Sequence, residues 1–186
     1  MRIVGGRARG LKLSEVGAGD PAAHVRPTSD RVREAIFNLL VNGGYGNPLS
    51  GARVLDIFAG TGAMGLEALS RGASHASFVE NGKVALGLLT RNIALMRAET
   101  DTAILRRDAT APGPNPTAPF AVIFLDPPYG KSMGEAALAA AVAGGWIAPG
   151  ALIVWEEGAP PVLPDGIALE DQRKYGDTFV TIARAS

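Results

Sequence analysis

The chain has 186 residues, of which 47% are hydrophobic and 19% are charged. This length suits one domain with a small appendage, and the apolar fraction is sufficient for a folded core. The sequence contains no cysteine and two histidines, which excludes disulfides, thiol nucleophiles, iron–sulfur clusters and a histidine-rich metal site. No apolar run reaches the ~18 residues of a membrane span, and the N-terminus does not look like a usual signal peptide. We therefore expect a cytoplasmic protein that uses neither a metal nor a membrane.

Charge is unevenly distributed along the chain, although the formal net charge is zero. Residues 1–33 contain seven basic and three acidic side chains, a balance of +4, and the other residues contain 11 basic and 15 acidic side chains, a balance of −4. A polyanion such as RNA would be attracted to the N-terminal segment, whereas the alternative interpretation is a solvated tail. The side chains that we expect to contact RNA are all basic: Arg2, Arg7, Arg9, Lys12, Arg26 and Arg31.

The N-terminal segment is predicted to contain a hairpin and a helix. Residues 1–13 have the pattern of a basic β-hairpin that turns between Gly5-Gly6 and Gly10. Residues 28–41 carry an apolar stripe at helical spacing, and Thr28 or Ser29 can cap this helix. We expect residues 1–42 to form an RNA-facing extension and residues 43–186 to form the core domain.

Short apolar runs alternate with helical patterns in the rest of the chain. The apolar runs are predicted strands, at residues 54–58, 76–80, 103–106, 121–125 and 152–155. The helical patterns lie at 63–71, 83–97 and 134–143, and the loops are predicted at 14–25 and 109–119. Continuous apolar strands separated by helices indicate an α/β fold with a parallel sheet that is covered on both faces. Two β-like runs at 166–175 and 178–184 share a short turn, so we expect a seven-stranded sheet with one reversed strand.

A glycine loop follows the first predicted strand. Residues 60–65 read GTGAMG and match the pattern in which glycines let the backbone approach a dinucleotide. Asp56 lies just before this loop, where its carboxylate could receive an ammonium group or hold the loop in shape. Glu80 closes the second strand, where an acid can accept hydrogen bonds from both hydroxyls of a ribose. The loop and its two acids therefore predict a ligand that contains a ribose.

Two classes of ribose-containing cofactor fit this loop. The pyrophosphate of NAD is attracted to a helix N-terminus and would gain little from the carboxylate of Asp56 beside it. S-adenosylmethionine instead carries a sulfonium and an ammonium group, which tolerate a nearby carboxylate, so the sequence favours it. Asp108 follows the third strand, where it could accept a hydrogen bond from the adenine amino group or simply cap a helix.

A more specific motif, Asp126-Pro127-Pro128-Tyr129, follows the fourth strand at the sheet edge where α/β proteins place their active sites. The two prolines fix the backbone, so that the Asp126 side chain and the Pro127 carbonyl can point into one small space. Two acceptors aligned with the N–H groups of an amine on a planar base can localise its lone pair and direct it at a methyl donor. Tyr129 can stack on the base, and Asp126 could also accept the surplus proton. The alternative is a surface turn.

The sequence resembles the RsmD-type methyltransferases of bacteria, which modify the exocyclic N2 of one guanine in small-subunit ribosomal RNA. The resemblance spans nearly the whole chain, in residues 1–13, 26–38, 56–73, 126–130 and 175–178. The first two blocks matter most, because many amino-methyltransferases share the glycine loop and the Pro-Pro-aromatic turn but lack this preamble. The family implies a Rossmann-like class I methyltransferase fold, S-adenosylmethionine as the donor, and 16S ribosomal RNA in the small subunit as the substrate.

The resemblance also implies roles for individual residues. The implied cofactor-binding residues surround the glycine loop and the ends of the next two strands: Asp56, Phe58, Gly60, Thr61, Gly62, Glu80 and Asp108. Within this set the loop end binds the methionine part, Glu80 the ribose and Asp108 the adenine. The implied catalytic residues are Asp126, Pro127, Pro128 and Tyr129. Residues 81–83 are less charged than is usual in the family, and residues 109–119 are unusually rich in Pro and Ala, so the cofactor rim departs from the family pattern.

Other functions stay open at this point. A methyltransferase that acts on another planar amine, such as adenine N6 or a protein glutamine, would use the same motifs, although the families that do so tend to have Asn where this chain has Asp126. An NAD-linked oxidoreductase is one further alternative, and a noncatalytic RNA-binding assembly factor is another. The complete tetrad argues against the noncatalytic alternative. We expect the protein to act as a monomer.

Overall fold

The computed structural model describes residues 1–17 and 28–186. The predicted RNA contact Arg26 and most of the predicted loop 14–25 lie outside the described residues. The α-helices of the described part are α1 (Asp30–Asn42), α2 (Ala63–Ser70), α3 (Lys83–Met96) and α4 (Met133–Ala143). The predicted helices therefore form with their ends shifted by a residue or two. In the described ranges, no helix combines the length and the apolar character that crossing a membrane requires.

One seven-stranded sheet organises the described chain. Its strands are β1 (Arg53–Ile57), β2 (His75–Val79), β3 (Thr102–Leu105), β4 (Phe120–Leu125), β5 (Ile147–Glu157), β6 (Ile167–Tyr175) and β7 (Thr178–Ala185). Their order across the sheet is β3-β2-β1-β4-β5-β7-β6. The first five strands run parallel, and β7 is antiparallel to both of its neighbours. The predicted seven-stranded, mostly parallel sheet with one reversed strand is confirmed.

The two faces of the sheet are covered by different helices. Because side chains alternate along a strand, Val54 of β1 joins one buried cluster and Leu55 joins the other. The first cluster contains Phe37 of α1, Leu66 of α2 and Leu89 of α3. The second cluster contains the buried side chains of α4. Parallel strands buried on both faces explain why the strand sequences are continuously apolar.

The start of the chain folds back on itself and packs into the first cluster. The N–H of Ile3 donates to the carbonyl of Leu11 at 2.9 Å, and an isolated antiparallel bridge pairs Arg2 with Lys12. Ile3 and Leu13 are buried beside α1. The predicted hairpin is therefore present in a reduced form, because the residues that connect its arms bond to α2 rather than across the hairpin.

A buried ion pair and backbone hydrogen bonds connect the N-terminal residues to α2. Arg33 of α1 and Glu67 of α2 are both fully buried, with 3.6 Å between Nε and a carboxylate oxygen. Glu67 also accepts backbone hydrogen bonds from Val4 and Gly5, both at 2.8 Å, and it pairs with Arg71 at 2.8 Å. A buried charge requires partners of this kind. Arg33, which the charge count placed in the basic segment, is therefore a structural residue.

Two local features differ from the sequence prediction or refine it. β5 starts at Ile147, ahead of the predicted start, because the strand continues through Gly150 with a register shift against β4. Arg184 of β7 supports this continuation by donating to the carbonyl of Gly150 at 3.1 Å. At the start of α1, Ser29 is the N-cap and accepts from the N–H of Val32 at 3.2 Å. Ser29 rather than Thr28 therefore caps this helix.

Candidate active site

Four acidic side chains lie along the carboxyl edge of four adjacent strands. Asp56 lies near the end of β1, Glu80 directly follows β2, Asp126 directly follows β4, and Glu156 lies near the end of β5. The strand registers and the alternation of side chains place all four on the face that α1 and α2 cover. The sequence pointed to the first three. Glu156 is an additional member that the structure brings to the site.

Asp56 holds the glycine loop in shape. Its Oδ2 accepts the N–H of Gly65, in the first turns of α2, at 2.9 Å. The residue is 2% exposed, and this burial raises the pKa of the Asp56 carboxyl well above its ordinary value. The hydrogen bond from Gly65 opposes the rise, whereas the charges of Asp126 and Glu80 add to it. Of the two roles that the sequence suggested for Asp56, the structure shows loop support directly.

Glu80 supports the same loop from the neighbouring strand. Its Oε2 accepts the N–H of Gly60 at 2.9 Å. Its Oε1 accepts the N–H groups of Asn81 and Gly82 at 2.9 Å and 2.8 Å, at the start of α3. The carboxylate therefore connects the glycine loop to the start of α3. The side chain is half-buried, so it lies at the edge of the site. A charged acceptor with several backbone donors is held in one orientation.

The backbone of the glycine loop is left-handed at three positions. Phe58 has φ +60°, Gly60 has φ +57°, and Gly62, which is the N-cap of α2, has φ +80°. A Cβ added at Gly62 would lie 2.4 Å from a methyl carbon of Leu89, so this close packing also requires glycine. Thr61 between the glycines is buried. The loop therefore turns sharply and packs tightly against α3.

Asp108 lies in an exposed turn after β3. Its Oδ1 accepts the N–H and the hydroxyl of Thr110 at 2.8 Å and 2.7 Å. These hydrogen bonds lower the pKa of the Asp108 carboxyl. The structure shows a local turn here and no helix for Asp108 to cap. Its predicted contact with an adenine stays a prediction.

The Asp-Pro-Pro-Tyr turn leaves β4 beside the end of β1. The N–H of Asp126 lies 3.4 Å from the carbonyl of Ile57, one residue before the glycine loop begins to turn. Pro127 is buried, whereas Pro128 is exposed. The hydroxyl of Tyr129 lies 3.1 Å from the hydroxyl of Thr178 at the start of β7. The turn is therefore held at both ends, by β1 and by β7.

The last residue of β5 and the residue after it complete the support of this turn. Oε1 of Glu157 accepts the N–H of Gly130 at 3.1 Å and the N–H of Gly158 at 2.9 Å. A Cβ added at Gly158 would lie 3.1 Å from the ring of Tyr129, so the glycine leaves space for that ring. The motif that contains Thr178 was noticed in the sequence, but its contact with Tyr129 could not be read from it.

Thr28 connects α1 to the acidic side chains. Its hydroxyl lies 3.2 Å from Oδ2 of Asp126 and 3.2 Å from each carboxylate oxygen of Glu156. Glu156 is 3% exposed, and burial raises the pKa of its carboxyl well above the ordinary value. The negative charges of Asp126 and Asp56 raise the pKa of Glu156 further, and the Thr28 hydrogen bond and the charge of Arg33 oppose that rise.

The candidate RNA-contacting side chains lie on the N-terminal part of the surface. Arg9, Lys12 and Arg31 are exposed. Arg2 and Arg7 are also exposed, and each lies 3.8 Å from an acidic side chain, Asp30 and Asp101 respectively. Exposed pairs of this kind are weak, so these arginines can exchange partners. Their predicted RNA contacts stay a prediction.

The donor set at the sheet edge fits a cationic nucleoside better than a phosphate. Asp56 and Glu80 contact the glycine loop and Asp126 follows the strand next to it, and carboxylates at this edge attract a sulfonium or ammonium and repel a pyrophosphate. Among the described residues, no group of three or more His, Asp or Glu side chains is arranged to hold a metal ion. The residues present therefore fit S-adenosylmethionine.

Known proteins are similar to this chain in sequence and in fold over most of their length. A family model described as "Conserved hypothetical protein 95" matches residues 1–184. The chain is 34% identical over 179 residues to Ribosomal RNA small subunit methyltransferase D of Escherichia coli. The matched region covers 95% of this chain and 85% of that protein. The protein of the same name from Haemophilus influenzae is 32% identical over 181 residues, covering 95% and 89% of the two chains.

A solved structure shows the same similarity in three dimensions. A protein of Escherichia coli named as a candidate methyltransferase matches with a TM-score of 0.82 and 32% sequence identity. The match covers 100% of this chain and 98% of that one. The N-terminal segment, the sheet and the terminal hairpin are thus shared together and not as isolated motifs.

Proposed function

The chain belongs to the family described as Conserved hypothetical protein 95, to which the RsmD-type methyltransferases belong, and from this membership and the site geometry we propose its reaction. It transfers a methyl group from S-adenosylmethionine to the exocyclic N2 of a guanine in 16S ribosomal RNA. The names of its relatives support the class of reaction and the RNA of the small subunit as the substrate. The guanine and its N2 atom rest on the chemistry of the tetrad and on the resemblance to RsmD.

One observation carries the proposal most directly. The glycine loop and the Asp-Pro-Pro-Tyr turn leave two adjacent parallel strands, and the N–H of Asp126 lies 3.4 Å from the carbonyl of Ile57. A cofactor held at the loop and a base held at the turn would therefore lie side by side, as a direct transfer between them requires. Either motif alone would be compatible with other functions.

The cofactor side of the site consists of the loop and its acids. Asp56 and Glu80 fix the backbone of the loop through Gly65 and Gly60. Glu80 lies at the rim, where it binds the ribose, and Asp108 binds the adenine. Bound S-adenosylmethionine supplies an electrophilic methyl group on a sulfonium. The negative charges of Glu80 and Asp126 stabilise that positive charge within the site.

The substrate side of the site consists of the tetrad. The Asp126 carboxylate and the Pro127 carbonyl accept the two N–H groups of the guanine amine, and the ring of Tyr129 stacks on the base. The nitrogen becomes positive when it gains the methyl group, and Asp126 accepts the surplus proton. The hydrogen bond between Tyr129 and Thr178 limits the motion of the ring. Catalysis is thus mainly positioning together with electrostatic stabilisation.

The N-terminal segment would provide the RNA contacts outside the site. Its exposed basic side chains lie on the part of the chain that covers α2, while residues 43–186 supply the cofactor pocket and the tetrad. We keep this division of the chain, at residue 42, as part of the proposal. Because Arg33 is buried, the segment presents less positive charge to RNA than its sequence count suggests.

A labelled-methyl assay tests the proposed function. The purified protein is incubated with methyl-labelled S-adenosylmethionine and small ribosomal subunits from bacteria that lack an RsmD-type enzyme. We expect the label in N2-methylguanine, identified by the mass of the isolated nucleoside, and no label with an Asp126→Ala protein. Label in adenine or in a protein would contradict the guanine assignment. Subunit binding without any transfer would instead indicate a noncatalytic assembly factor.

A further inference from the structure

The hydroxyl of Thr28 has one proton to donate and lies close to two carboxyl groups. It lies 3.2 Å from Oδ2 of Asp126 and 3.2 Å from both oxygens of Glu156. A threonine hydroxyl donates one hydrogen bond and accepts up to two. It can therefore satisfy both neighbours only if it donates to one of them and accepts from the other. When Thr28 bonds to both, one of the two carboxyl groups carries a proton.

Burial and charge favour a proton on Glu156. Glu156 is 3% exposed, whereas Asp126 is half-buried. Within residues 1–17 and 28–186, the charged groups that act on Glu156 are Asp126 after β4, Asp56 in β1 and Arg33 in α1. Two of these three are acidic, and burial and these acids together raise the pKa of Glu156 well above its ordinary value.

Arg33 does not neutralise Glu156, because its guanidinium is shared among other partners. Its Nη2 donates to Oδ1 of Asp30 at 2.7 Å and to the carbonyl of Arg2, and its Nε lies 3.6 Å from Glu67. From β7, the residue paired with Glu156 is the apolar Val180. The surroundings of Glu156 therefore favour its neutral form.

We propose that Glu156 is a positioning residue that holds a proton at neutral pH, donates it to Oγ1 of Thr28, and so directs the Thr28 hydroxyl to the Asp126 carboxylate. The proposal rests on the proposed function, in which Asp126 accepts a proton from the guanine amine. The proton on Glu156 stays on Glu156 throughout the reaction. Its effect is to keep Asp126 ionised and in one orientation, because a donor to the charged form of a carboxyl stabilises that form.

Variants at Thr28 test the connection between the two acids. Thr28→Val removes the hydroxyl at nearly constant volume, and Thr28→Ser keeps it. In single-turnover methyl transfer at saturating cofactor, we expect Thr28→Val to react about ten- to a hundredfold more slowly, since a hydrogen bond to a charged group is lost. The fall of the Thr28→Val rate at low pH should begin at a higher pH than in the wild type, because Asp126 loses a donor to its charged form. Cofactor affinity should stay unchanged. Thr28→Ser should restore both the rate and the pH profile.

Glu156→Gln tests the protonation state. The glutamine amide still donates to Thr28 but cannot ionise, so we expect near-normal activity at neutral pH. In the wild type, activity should fall as rising pH ionises Glu156 and draws the Thr28 hydroxyl away from Asp126. In Glu156→Gln that alkaline fall should be absent. A Glu156→Gln protein that is inactive at neutral pH, or one that keeps the alkaline fall, would contradict the proposal.

Infrared spectroscopy of the protein alone provides a readout that does not depend on methyl transfer. At neutral pH the wild type should show the carbonyl band of a protonated carboxylic acid that is missing from Glu156→Gln, and Thr28→Val should shift this band. If the band is absent, Glu156 is ionised and the proposal fails, whatever the activity. If the band is present but no RNA is methylated, the proposed function fails and the proton assignment stands.

Discussion

Asp126 is the residue on which the proposed chemistry depends most directly. Replacement by Ala removes one of the two acceptors that align the guanine amine, so we expect the transfer rate to fall by 10²–10³, or ~2.7–4 kcal/mol. Cofactor affinity should hardly change, because the loop is held by Asp56 and Glu80. Single-turnover methyl transfer on isolated small subunits at saturating cofactor measures the rate.

Asp126→Asn distinguishes orientation from proton acceptance. Asn keeps the size and one acceptor oxygen but loses the negative charge and most of the basicity. Since Asp126 accepts the amine proton in the proposed reaction, we expect Asn to be nearly as impaired as Ala. An Asn variant with most of the wild-type rate would reduce Asp126 to an orienting residue. An Ala variant with the wild-type rate would remove it from the mechanism.

Glu80 should determine cofactor affinity. Glu80→Ala loses two charge-assisted hydrogen bonds to the ribose, each ~1.5–3 kcal/mol, and calorimetry should show affinity for S-adenosylmethionine weakened at least tenfold. Glu80 also accepts the backbone N–H groups of Gly60, Asn81 and Gly82, so part of the loss could come from a loosened loop. Glu80→Gln, which keeps one acceptor oxygen, should lie between the wild type and Ala.

A modified ligand separates ribose recognition from loop support. In the wild type, S-adenosylhomocysteine that lacks the 2′-hydroxyl should bind more weakly than the complete ligand. In Glu80→Ala the two ligands should bind equally, because the partner of that hydroxyl is gone. If the 2′-deoxy ligand binds more weakly than the complete ligand by the same factor in Glu80→Ala as in the wild type, the ribose binds elsewhere and Glu80 supports only the loop.

The site residues that the sequence identified belong to local motifs, whereas those that it missed are brought together by long-range contacts. Asp56 and Glu80 adjoin a recognisable loop or strand end, and Asp126 belongs to a short motif. Thr28 and Glu156 are 128 residues apart, and their contact exists only because the fold brings the residues before α1 to the end of β5. Nothing in the local sequence of either residue contains that information.

At the scale of single elements, the first turns of α2 are limited by close packing against β2. A Cβ at Gly65 would lie 2.4 Å from the ring of Phe78 and 3.3 Å from Oδ2 of Asp56. We expect Gly65→Ala to destabilise the protein by ~1–3 kcal/mol through overpacking and to weaken cofactor binding, because the Asp56 contact shifts. Chemical denaturation and calorimetry measure the two effects.

Gly87 is the matched control for this substitution. It lies in α3, is exposed, and has open space where a Cβ would be. Gly87→Ala should stabilise the protein by ~0.5–1 kcal/mol, because alanine restricts the unfolded chain and favours helix. If Gly65→Ala is as stable as Gly87→Ala, the packing at Phe78 is looser than the structure indicates.

The limits of sequence prediction for elements are seen at the N-terminal arms and at β5. The hairpin was predicted from glycine positions, but its connecting residues bond to Glu67 and Ser70 of α2, which the sequence does not reveal. In β5, the predicted strand began at residue 152, yet the strand runs from Ile147 through Gly150, where Arg184 of the neighbouring strand donates to the Gly150 carbonyl. In both places a tertiary contact overrides the local pattern.

At the scale of the whole molecule, the order of strands and helices was predictable because parallel strands buried on both faces leave a distinctive apolar pattern. For charge, the sequence gives the net balance of residues 1–33 but does not show which of these side chains are exposed. Of the basic side chains in residues 1–33, Arg33 is buried against Glu67 in the core and also pairs with the partly exposed Asp30. The exposed members that remain, including Arg7, Arg9 and Lys12, are the ones that a polyanion can reach.

These exposed side chains lead to a prediction about RNA binding by the complete protein. Simultaneous replacement of Arg7, Arg9 and Lys12 by Ala should weaken binding to the small ribosomal subunit. If each contacts a phosphate, the slope of log affinity against log salt should become shallower by about 2–3, since each contact releases ~0.7–0.9 counterions. The fold should be preserved, because the pair between Arg7 and Asp101 is exposed and contributes little.

Cofactor affinity is the internal control for this triple variant, because the glycine loop is held by Asp56 and Glu80 and by none of the three replaced residues. Binding to the subunit is measured by fluorescence anisotropy over a range of salt concentrations, and cofactor binding by calorimetry. Loss of both would mean that the substitutions disturb the packing of the N-terminal segment on α2. Equal subunit binding and an equal salt slope for wild type and variant would show that RNA is held by other residues, and the N-terminal segment would then serve only to cover the first cluster of the core.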